Sequence, residues 1–434
     1  MQEQNALGRA LNSVMEVGRD LLAKRGLVSP PGTSTNDSLL AMCRELLHHR
    51  GEASGLALAG EILDTYQQLD NEGRQAFFLS LAREFEVDPD LVKSAAAAYN
   101  SDPSPHNLSG ISKSVEAPRL KLFRRINMTP GGTPLLVAMR GHLSSLLREY
   151  PELHRVDADM KHLFISWFNK GFLELRRIDW SSPALELEKI IAYEAVHEIN
   201  GWTDLQSRLR EDRRCFAFFH PAMAHDPLVF VEVALTDGVP GAIAPLLQQD
   251  RDPVPPRDAS TVVFYSISNC HKGLAGISFG NFLIKNVVEE LRKEMPWLKT
   301  FVTLSPVPGF RKWLAHADLE GLAEEDMLEK VRAPSGRVVE ADTSEALMSL
   351  CAHYLVNEKS RELAKDPVAR FHLGNGAHLY RLHWAADLTP KGREQSSSIM
   401  VNYLYDLDKI EVNHEAYFDQ GEISVSKMVN KLLR

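Results

Sequence analysis

Apolar residues in the first part of the chain recur with the period of an α-helix. Phe77, Phe78, Leu81 and Phe85 fall at i, i+1, i+4 and i+8, which places them on one stripe of a helix that begins near Asn71. Similar segments are residues 38–47, 55–69, 135–149 and 160–168. Proline, serine and asparagine at 100–107 predict a loop, and residues 129–134 predict a second break. Residues 1–172 are therefore predicted to form a bundle of antiparallel helices.

The pattern changes after Pro183. Short runs rich in β-branched and aromatic residues predict strands at 215–219, 228–235, 261–268 and 300–304. Between the last two strands, residues 281–293 have Phe282, Leu283, Val287 and Leu291 on one face and mostly charged residues on the other, which predicts an amphipathic helix. The second part of the chain therefore contains a strand-helix-strand unit.

Composition narrows the class of protein. A chain of 434 residues with 44% hydrophobic and 25% charged residues is long enough for two domains with separate cores. The net charge of −9 argues against a nucleic-acid binder, and no apolar run approaches the roughly 20 residues that span a bilayer. The four cysteines have no metal-binding spacing, and the N-terminus has no signal-peptide pattern, so a cytoplasmic location is expected.

Two segments carry the side chains best suited to chemistry. Ser305 lies where a strand-like run meets the proline-rich turn Leu304-Ser-Pro-Val-Pro-Gly-Phe310, and His372 precedes a Gly-Asn-Gly turn in Phe371-His-Leu-Gly-Asn-Gly-Ala377. Taken singly, a serine at a strand end is usually a turn cap and a histidine is usually structural. Ser305 is not in a GxSxG elbow, which argues against a serine hydrolase. Together they suggest a polar site of two residues.

A glycine-bearing loop offers a possible site for a phosphate-containing ligand. Residues 272–280 connect the strand at 261–268 to the amphipathic helix, with glycines at 273, 276 and 280. Glycine lets the backbone approach a ligand closely, and a helix start has unpaired N–H groups that suit a pyrophosphate. The loop matches no established nucleotide motif, so an ordinary connection is an equal alternative at this point.

The Ser305 and His372 segments resemble those of malonyl-CoA decarboxylases. The resemblance extends to further segments in the same order: Gly171–Leu175, Glu194–His197, Arg213–Phe216, Phe264–Ser268, the loop with the helix start Asn281–Lys285, and Met400–Tyr405. It implies an α+β protein, in which a helical oligomerisation domain at 1–172 is followed by a GNAT-like (N-acetyltransferase-type) catalytic domain at 173–434.

The resemblance also implies roles for individual residues. Ser305 and His372 would be catalytic, and Ser266 and Tyr405 would line the acyl pocket. The CoA part of the substrate would be bound by Ala275, Gly276, Ile277, Ser278, Phe279, Gly280 and Asn281. Animal members of the family have a glutamate where this chain has Ser278, so no role of that carboxylate carries over.

The implied reaction converts malonyl-CoA to acetyl-CoA and CO2. It requires neither a metal nor an organic cofactor, because the thioester itself accepts the electron pair that CO2 leaves behind, and no HExxH or CxxC motif is present. His372, with the unperturbed histidine pKa of about 6.5, can hold a transferable proton near neutral pH. We expect malonyl-CoA as the ligand, no nucleic-acid or membrane partner, and a homodimer or homotetramer.

Two other functions are compatible with the same features. An acyl-CoA N-acyltransferase shares the implied fold but needs a nucleophilic acceptor and a base that deprotonates it. A non-catalytic acyl-CoA sensor or scaffold would bind partners through its helical half, although the presence of both Ser305 and His372 in matching contexts weighs against it.

Overall fold

A computed structural model describes residues 10–11, 13–20, 36–277, 280–333 and 341–433. The chain divides into two compact units, and two short segments distant in sequence, 220–224 and 271–278, belong to the first unit together with residues 1–173. In the described residues, no helix has both the length and the apolar character needed to cross a membrane.

The first unit is helical. Its helices are α1 (Asn36–His48), α2 (Glu52–Gln68), α3 (Asn71–Glu84), α4 (Pro89–Ser101), α5 (Pro105–Ser114), α6 (Pro118–Asn127), α7 (Gly132–Leu146) and α8 (His154–Trp167). The predicted apolar stripe lies on α3, where Asp70 caps the helix by accepting a hydrogen bond from the Gly73 N–H at 2.8 Å. Phe77, Phe78 and Leu81 are fully buried.

The prediction of a loop over residues 100–107 was wrong at both ends. Helix α4 continues to Ser101, and α5 begins at Pro105 with Ser104 as its N-cap. Proline is favoured in the first turn of a helix because the N–H that it lacks would have no partner there. The Ser-Pro pair in this segment therefore starts a helix.

The second unit is built on a mixed sheet. Its strands are β1 (Glu174–Ile178), β2 (Arg213–Phe219), β3 (Val229–Thr236), β4 (Thr261–Asn269), β5 (Thr300–Thr303), β6 (Ser305–Pro306), β7 (Lys359–Ser360), β8 (Leu363–Ala364), β9 (His378–His383) and β10 (Met400–Leu404). Its helices are α9 (Ala184–Tyr193), α10 (Trp202–Arg208), α11 (Ala244–Leu247), α12 (Gly280–Glu294), α13 (Phe310–His316), α14 (Glu325–Arg332), α15 (Ala341–Val356), α16 (Pro367–Gly374), α17 (Pro390–Ser396), α18 (Ile410–Gln420) and α19 (Lys427–Leu432).

The main sheet has the order β1-β2-β3-β4-β5-β10-β6, with β9 also paired to β10. Strands β4 and β5 are parallel, and α12 forms the crossover between them, as the strand-helix-strand pattern predicts. Strand β10 enters from late in the chain and pairs antiparallel with both β5 and β6. The predicted α+β class, with a helical region followed by a mixed-sheet domain, is confirmed.

Candidate active site

Ser305 is held at the edge where two short strands meet β10. The chain leaves β5 at Thr303 and pairs again at Ser305, which lies opposite Val401 of β10. The serine side chain is 6% exposed. Pro306 ends the pairing, and the turn that follows leads directly into α13. The strand-then-turn context read from the sequence therefore holds Ser305 in a fixed, buried position.

His372 is in the last turn of α16. Asp366 caps this helix by accepting hydrogen bonds from the Val368 and Ala369 N–H groups at 2.9 and 3.0 Å, and Pro367 occupies the first turn. The imidazole is 3% exposed and stacks on the ring of Tyr403, with centroids 4.7 Å apart. The helix thus presents His372 to the interior of the second unit.

The two predicted residues are in contact although 67 positions separate them. Ser305 Oγ lies 3.2 Å from His372 Nε2, and His372 Nδ1 lies 2.8 Å from the hydroxyl of Tyr405. Ser305 Oγ also lies 2.9 Å from Thr303 Oγ1. Thr303, Ser305, His372 and Tyr405 therefore form one continuous chain of hydrogen bonds, which we call the relay.

The relay is consistent with a neutral imidazole. When Ser305 donates its proton to Thr303, its oxygen accepts from the Nε2–H of His372, and Nδ1 accepts from Tyr405. In the opposite tautomer Ser305 donates to Nε2 instead of to Thr303, and Nδ1–H donates to Tyr405. Both arrangements leave every member uncharged.

Burial determines the charge state of the relay. It lowers the pKa of His372 to about 3 from the ordinary 6.5, since no charged group compensates the lost hydration. Burial also raises the pKa of the Tyr403 and Tyr405 hydroxyls well above their usual value. The expectation that His372 has an ordinary pKa was therefore wrong for this site, because the resting histidine is neutral throughout the physiological range.

Asp366 links the two halves of the site. Besides capping the helix of His372, its carboxylate accepts a hydrogen bond from the Gly309 N–H at 3.1 Å, in the turn that follows Ser305. Gly309 has no room for a side chain, because a Cβ would collide with the Tyr354 hydroxyl. Asp366 is completely buried, and burial raises its pKa. One carboxylate therefore connects the serine turn to the histidine helix.

Ser266 has a different environment. Its hydroxyl donates to the carboxylate of Glu194, with Oγ 2.7 and 2.8 Å from the two carboxylate oxygens, and Ser268 donates to the same carboxylate at 3.1 Å. Within the described residues, Ser266 makes no hydrogen bond to Ser305 or His372. Of the two residues predicted to line the acyl pocket, Tyr405 contacts His372, whereas Ser266 is bonded to Glu194.

The predicted CoA loop is partly described. Leu274 to Ile277 form a tight turn, in which the Ile277 N–H donates to the Leu274 carbonyl at 3.0 Å and Gly276 has a φ of +75°. Only glycine adopts that conformation without strain, which explains the residue at this position. Gly280 and Asn281 begin α12, whereas Ser278 and Phe279 lie outside the described residues.

Sequence reasoning missed Thr303, Tyr403 and Asp366. Thr303 completes the relay, Tyr403 stacks on His372, and Asp366 connects the two segments. In the sequence, the only feature that marked these three residues was that they lie close to the segments of Ser305, His372 and Tyr405. Across the described ranges, no group of three or more His, Cys, Asp or Glu side chains is positioned to hold a metal ion.

Comparison with known proteins identifies the family. Residues 171–434 match the malonyl-CoA decarboxylase C-terminal domain, and residues 85–168 match the malonyl-CoA decarboxylase N-terminal domain. Mitochondrial malonyl-CoA decarboxylase of Anser anser anser is 34% identical over 414 residues, which cover 86% of this chain and 82% of the goose protein. The rat protein of the same name is 36% identical over 354 residues, which cover 72% of this chain and 70% of its own.

Solved structures agree with these matches. The crystal structure of malonyl-CoA decarboxylase from Rhodopseudomonas palustris is 48% identical with a TM-score of 0.87, covering 92% of this chain and 99% of that one. The Agrobacterium vitis protein is 46% identical with a TM-score of 0.85, covering 91% and 99%. The chain therefore belongs to the malonyl-CoA decarboxylase family.

Proposed function

We propose that this chain converts malonyl-CoA to acetyl-CoA and CO2, with Ser305 and His372 as the catalytic residues. The main observation in support of the proposal is the 3.2 Å contact between Ser305 Oγ and His372 Nε2. The two residues lie far apart in the chain, and each belongs to a segment that resembles the family pattern. Tyr405 supports it, because its hydroxyl contacts the second ring nitrogen of the same histidine.

The reaction makes three demands on the protein. Loss of CO2 breaks the bond between the carboxyl group and the α-carbon, and the electron pair moves into the thioester as an enolate. The protein must hold the carboxylate so that the breaking bond is perpendicular to the thioester plane, stabilise the enolate oxygen, and add one proton to the α-carbon. Hydroxyl and imidazole donors, such as those of Ser305 and His372, suit the first demand.

The third demand concerns proton balance. A substrate carboxylate bound beside His372 raises the pKa of the imidazole, because the opposite charge favours the protonated form. The complex therefore takes up one proton that the resting relay does not hold. When CO2 leaves, the negative charge moves to the enolate, the Nε2–H bond breaks, and a C–H bond forms. His372 returns to the neutral state, and the net reaction consumes one proton.

The decisive experiment is a product analysis of purified protein with malonyl-CoA. Acetyl-CoA and CO2 should form in equal amounts without any added amine, as seen by mass spectrometry of the CoA species. Release of free CoA only when an amine is supplied would instead indicate an acyltransferase, and unchanged malonyl-CoA would indicate a sensor. The same assay after dialysis against a strong chelator tests the metal-free mechanism, which recovery of lost activity by one divalent ion would contradict.

We expect His372 to contribute no inflection near pH 6.5 to the pH dependence of kcat/KM. This parameter reports ionisations of the free enzyme and the free substrate, and a histidine whose pKa is about 3 stays neutral as pH falls from 8 to 5.5. Steady-state rates over that range provide the test. A one-unit change of slope near pH 6.5 that also shifts in Tyr405→Phe would show that His372 titrates normally. NMR of histidine-labelled protein measures the charge of the His372 imidazole directly. The resonance of His372 is the one that is absent from the His372→Ala variant.

The segment 275–281 is proposed to bind the CoA part of the substrate. Gly276→Val is then expected to raise KM for malonyl-CoA about tenfold or more while kcat changes little, because valine is strained at a φ of +75° and its Cβ would crowd the end of the Lys161 side chain. Isothermal calorimetry with CoA measures the loss of affinity. Gly110→Val is the matched control, since a Cβ at Gly110 meets no atom within 4 Å. Unaltered CoA binding in Gly276→Val would remove the loop from the site.

The remaining expectations concern assembly and location. Helices α4 and α5 bury no residue in the chain itself, and Leu91, Leu108 and Val115 are more than half exposed. These features support a homodimer or homotetramer formed through the helical domain. All four cysteines are free, which suits the reducing cytoplasm proposed for this chain.

A further inference from the structure

The turn of the CoA loop is fixed by an arginine of the helical unit. Arg140 of α7 is buried, and its Nη1 donates to the carbonyls of Gly273 and Ala275 at 2.7 and 2.9 Å. Its Nε donates to Asp157 at 2.8 Å, so the guanidinium is neutralised and held in one orientation. Gly273 lies so close to the backbone of Val137 that a Cβ would collide with it.

The bond to Ala275 determines where the next N–H group points. In a trans peptide the carbonyl of Ala275 and the N–H of Gly276 point in opposite directions. Because Arg140 binds the carbonyl, the Gly276 N–H is directed away from Arg140. Within the described residues this N–H has no hydrogen-bond acceptor, unlike the N–H groups of Leu274, Ala275 and Ile277. The turn therefore presents a free donor in a fixed direction.

A lysine of the helical unit lies at the same glycine. Lys161 of α8 has its Nζ 3.0 Å from the position that a Cβ on Gly276 would occupy. It is partly buried, and within the part of the chain that the structure describes it makes no hydrogen bond or ion pair. Arg140 has Asp157 as its counter-charge, but Lys161 has none. An unpaired cation beside a free N–H is suited to binding a phosphate oxygen.

We propose that Lys161 and the Gly276 N–H bind the diphosphate of the acyl-CoA substrate, with Arg140 as the positioning residue that orients this N–H. The proposal rests on the proposed function, in which the loop binds CoA, and it adds Lys161 of α8 to the residues that bind it. The ligand chemistry is a phosphate ester anion, and CoA carries two such groups, the diphosphate and the 3′-phosphate. The experiment has to distinguish them.

The test compares three thioesters in the Lys161→Gln variant. KM for malonyl-CoA should rise about tenfold or more, as expected for a charged hydrogen bond, with kcat nearly unchanged. KM for malonyl-pantetheine, which lacks the nucleotide, should not change. The rise should persist with 3′-dephospho-malonyl-CoA if the diphosphate is the partner. Lys161→Arg should recover most of the affinity, and Lys113→Gln, on the exposed face of α5, should behave as wild type.

Other outcomes overturn the proposal. Equal changes for malonyl-CoA and malonyl-pantetheine would mean that Lys161 acts on the fold or the acyl end, and loss of the effect with the dephospho substrate would move the contact to the 3′-phosphate. Arg140→Lys retains the charge but has all its donors on one atom, so it cannot reproduce the fork in which Nη1 binds two carbonyls while Nε binds Asp157. It should raise KM only for substrates with a diphosphate, at a melting temperature close to wild type, whereas a uniform loss would indicate a structural role.

A direct binding measurement separates this proposal from the catalytic one. If wild-type protein fails to decarboxylate malonyl-CoA, the proposed function fails, but calorimetry with CoA and with pantetheine still tests the phosphate contact. Weaker CoA binding in Lys161→Gln, with pantetheine unaffected, supports the contact in that case as well. Equal affinity of wild type and Lys161→Gln for CoA refutes it.

Discussion

His372→Ala is expected to lower kcat for malonyl-CoA by two or more orders of magnitude. The change removes the group that holds the substrate carboxylate and supplies the proton to carbon, and loss of a general acid typically costs about 100- to 10,000-fold. It also leaves Ser305 and Tyr405 without their shared partner in a buried site. Steady-state kinetics with malonyl-CoA measures the effect.

The controls separate catalysis from folding. His225→Ala removes a half-exposed histidine that bonds to Glu186, and this variant should retain full activity. The melting temperature of His372→Ala should stay well above the assay temperature, since the alanine replaces a neutral side chain. Unchanged turnover in a folded His372→Ala protein would exclude the histidine from the mechanism.

Ser305→Ala is expected to be impaired to a similar degree, and the double variant with His372→Ala should be little worse than the poorer single variant. Ser305 and His372 are joined by one hydrogen bond and are proposed to act on one carboxylate, so removing either disables the same function. A double-mutant cycle of kcat/KM tests this coupling.

Full additivity of the two losses would contradict a shared role. The matched control is Ser207→Ala, because Ser207 is equally buried but donates to the Asp204 carbonyl within α10. If Ser207→Ala reduces kcat as strongly as Ser305→Ala, loss of a buried hydroxyl in general explains the effect.

Local pattern was sufficient to predict much of the fold. The apolar period of α3 and the β-branched runs of β2 to β5 are signals contained in single segments, and the structure has these elements within a few residues of the predicted bounds. Strands β6 and β10 were not predicted as strands. Strand β6 has two residues, and it pairs with β10 about 100 positions later in the chain, as β5 also does. No local pattern encodes such a pairing.

The same reasoning explains which parts of the candidate site were predictable. Motif resemblance was sufficient to select Ser305, His372 and Tyr405, which the structure brings into one relay. The low pKa of His372 was not predictable, because it arises from burial by residues of several distant elements. Thr303 and Asp366 were not predictable either. Thr303 belongs to the site through its hydrogen bond with Ser305, and Asp366 through its hydrogen bond with the Gly309 N–H, and only the three-dimensional structure shows these contacts.

The bridge formed by Asp366 has a consequence for how sequences of this kind can vary. Pairing of β6 with β10 fixes Ser305, and one carboxylate fixes the start of the helix that carries His372, so the two segments of the relay are joined directly although 57 positions separate Gly309 from Asp366. Helices α13 and α15 in that stretch contribute buried side chains, among them Leu314 and Tyr354, so their lengths are constrained. The segment at residues 320–326 is mostly exposed, so a lineage can change its length, or a designer can insert a new segment there, while the relay is retained.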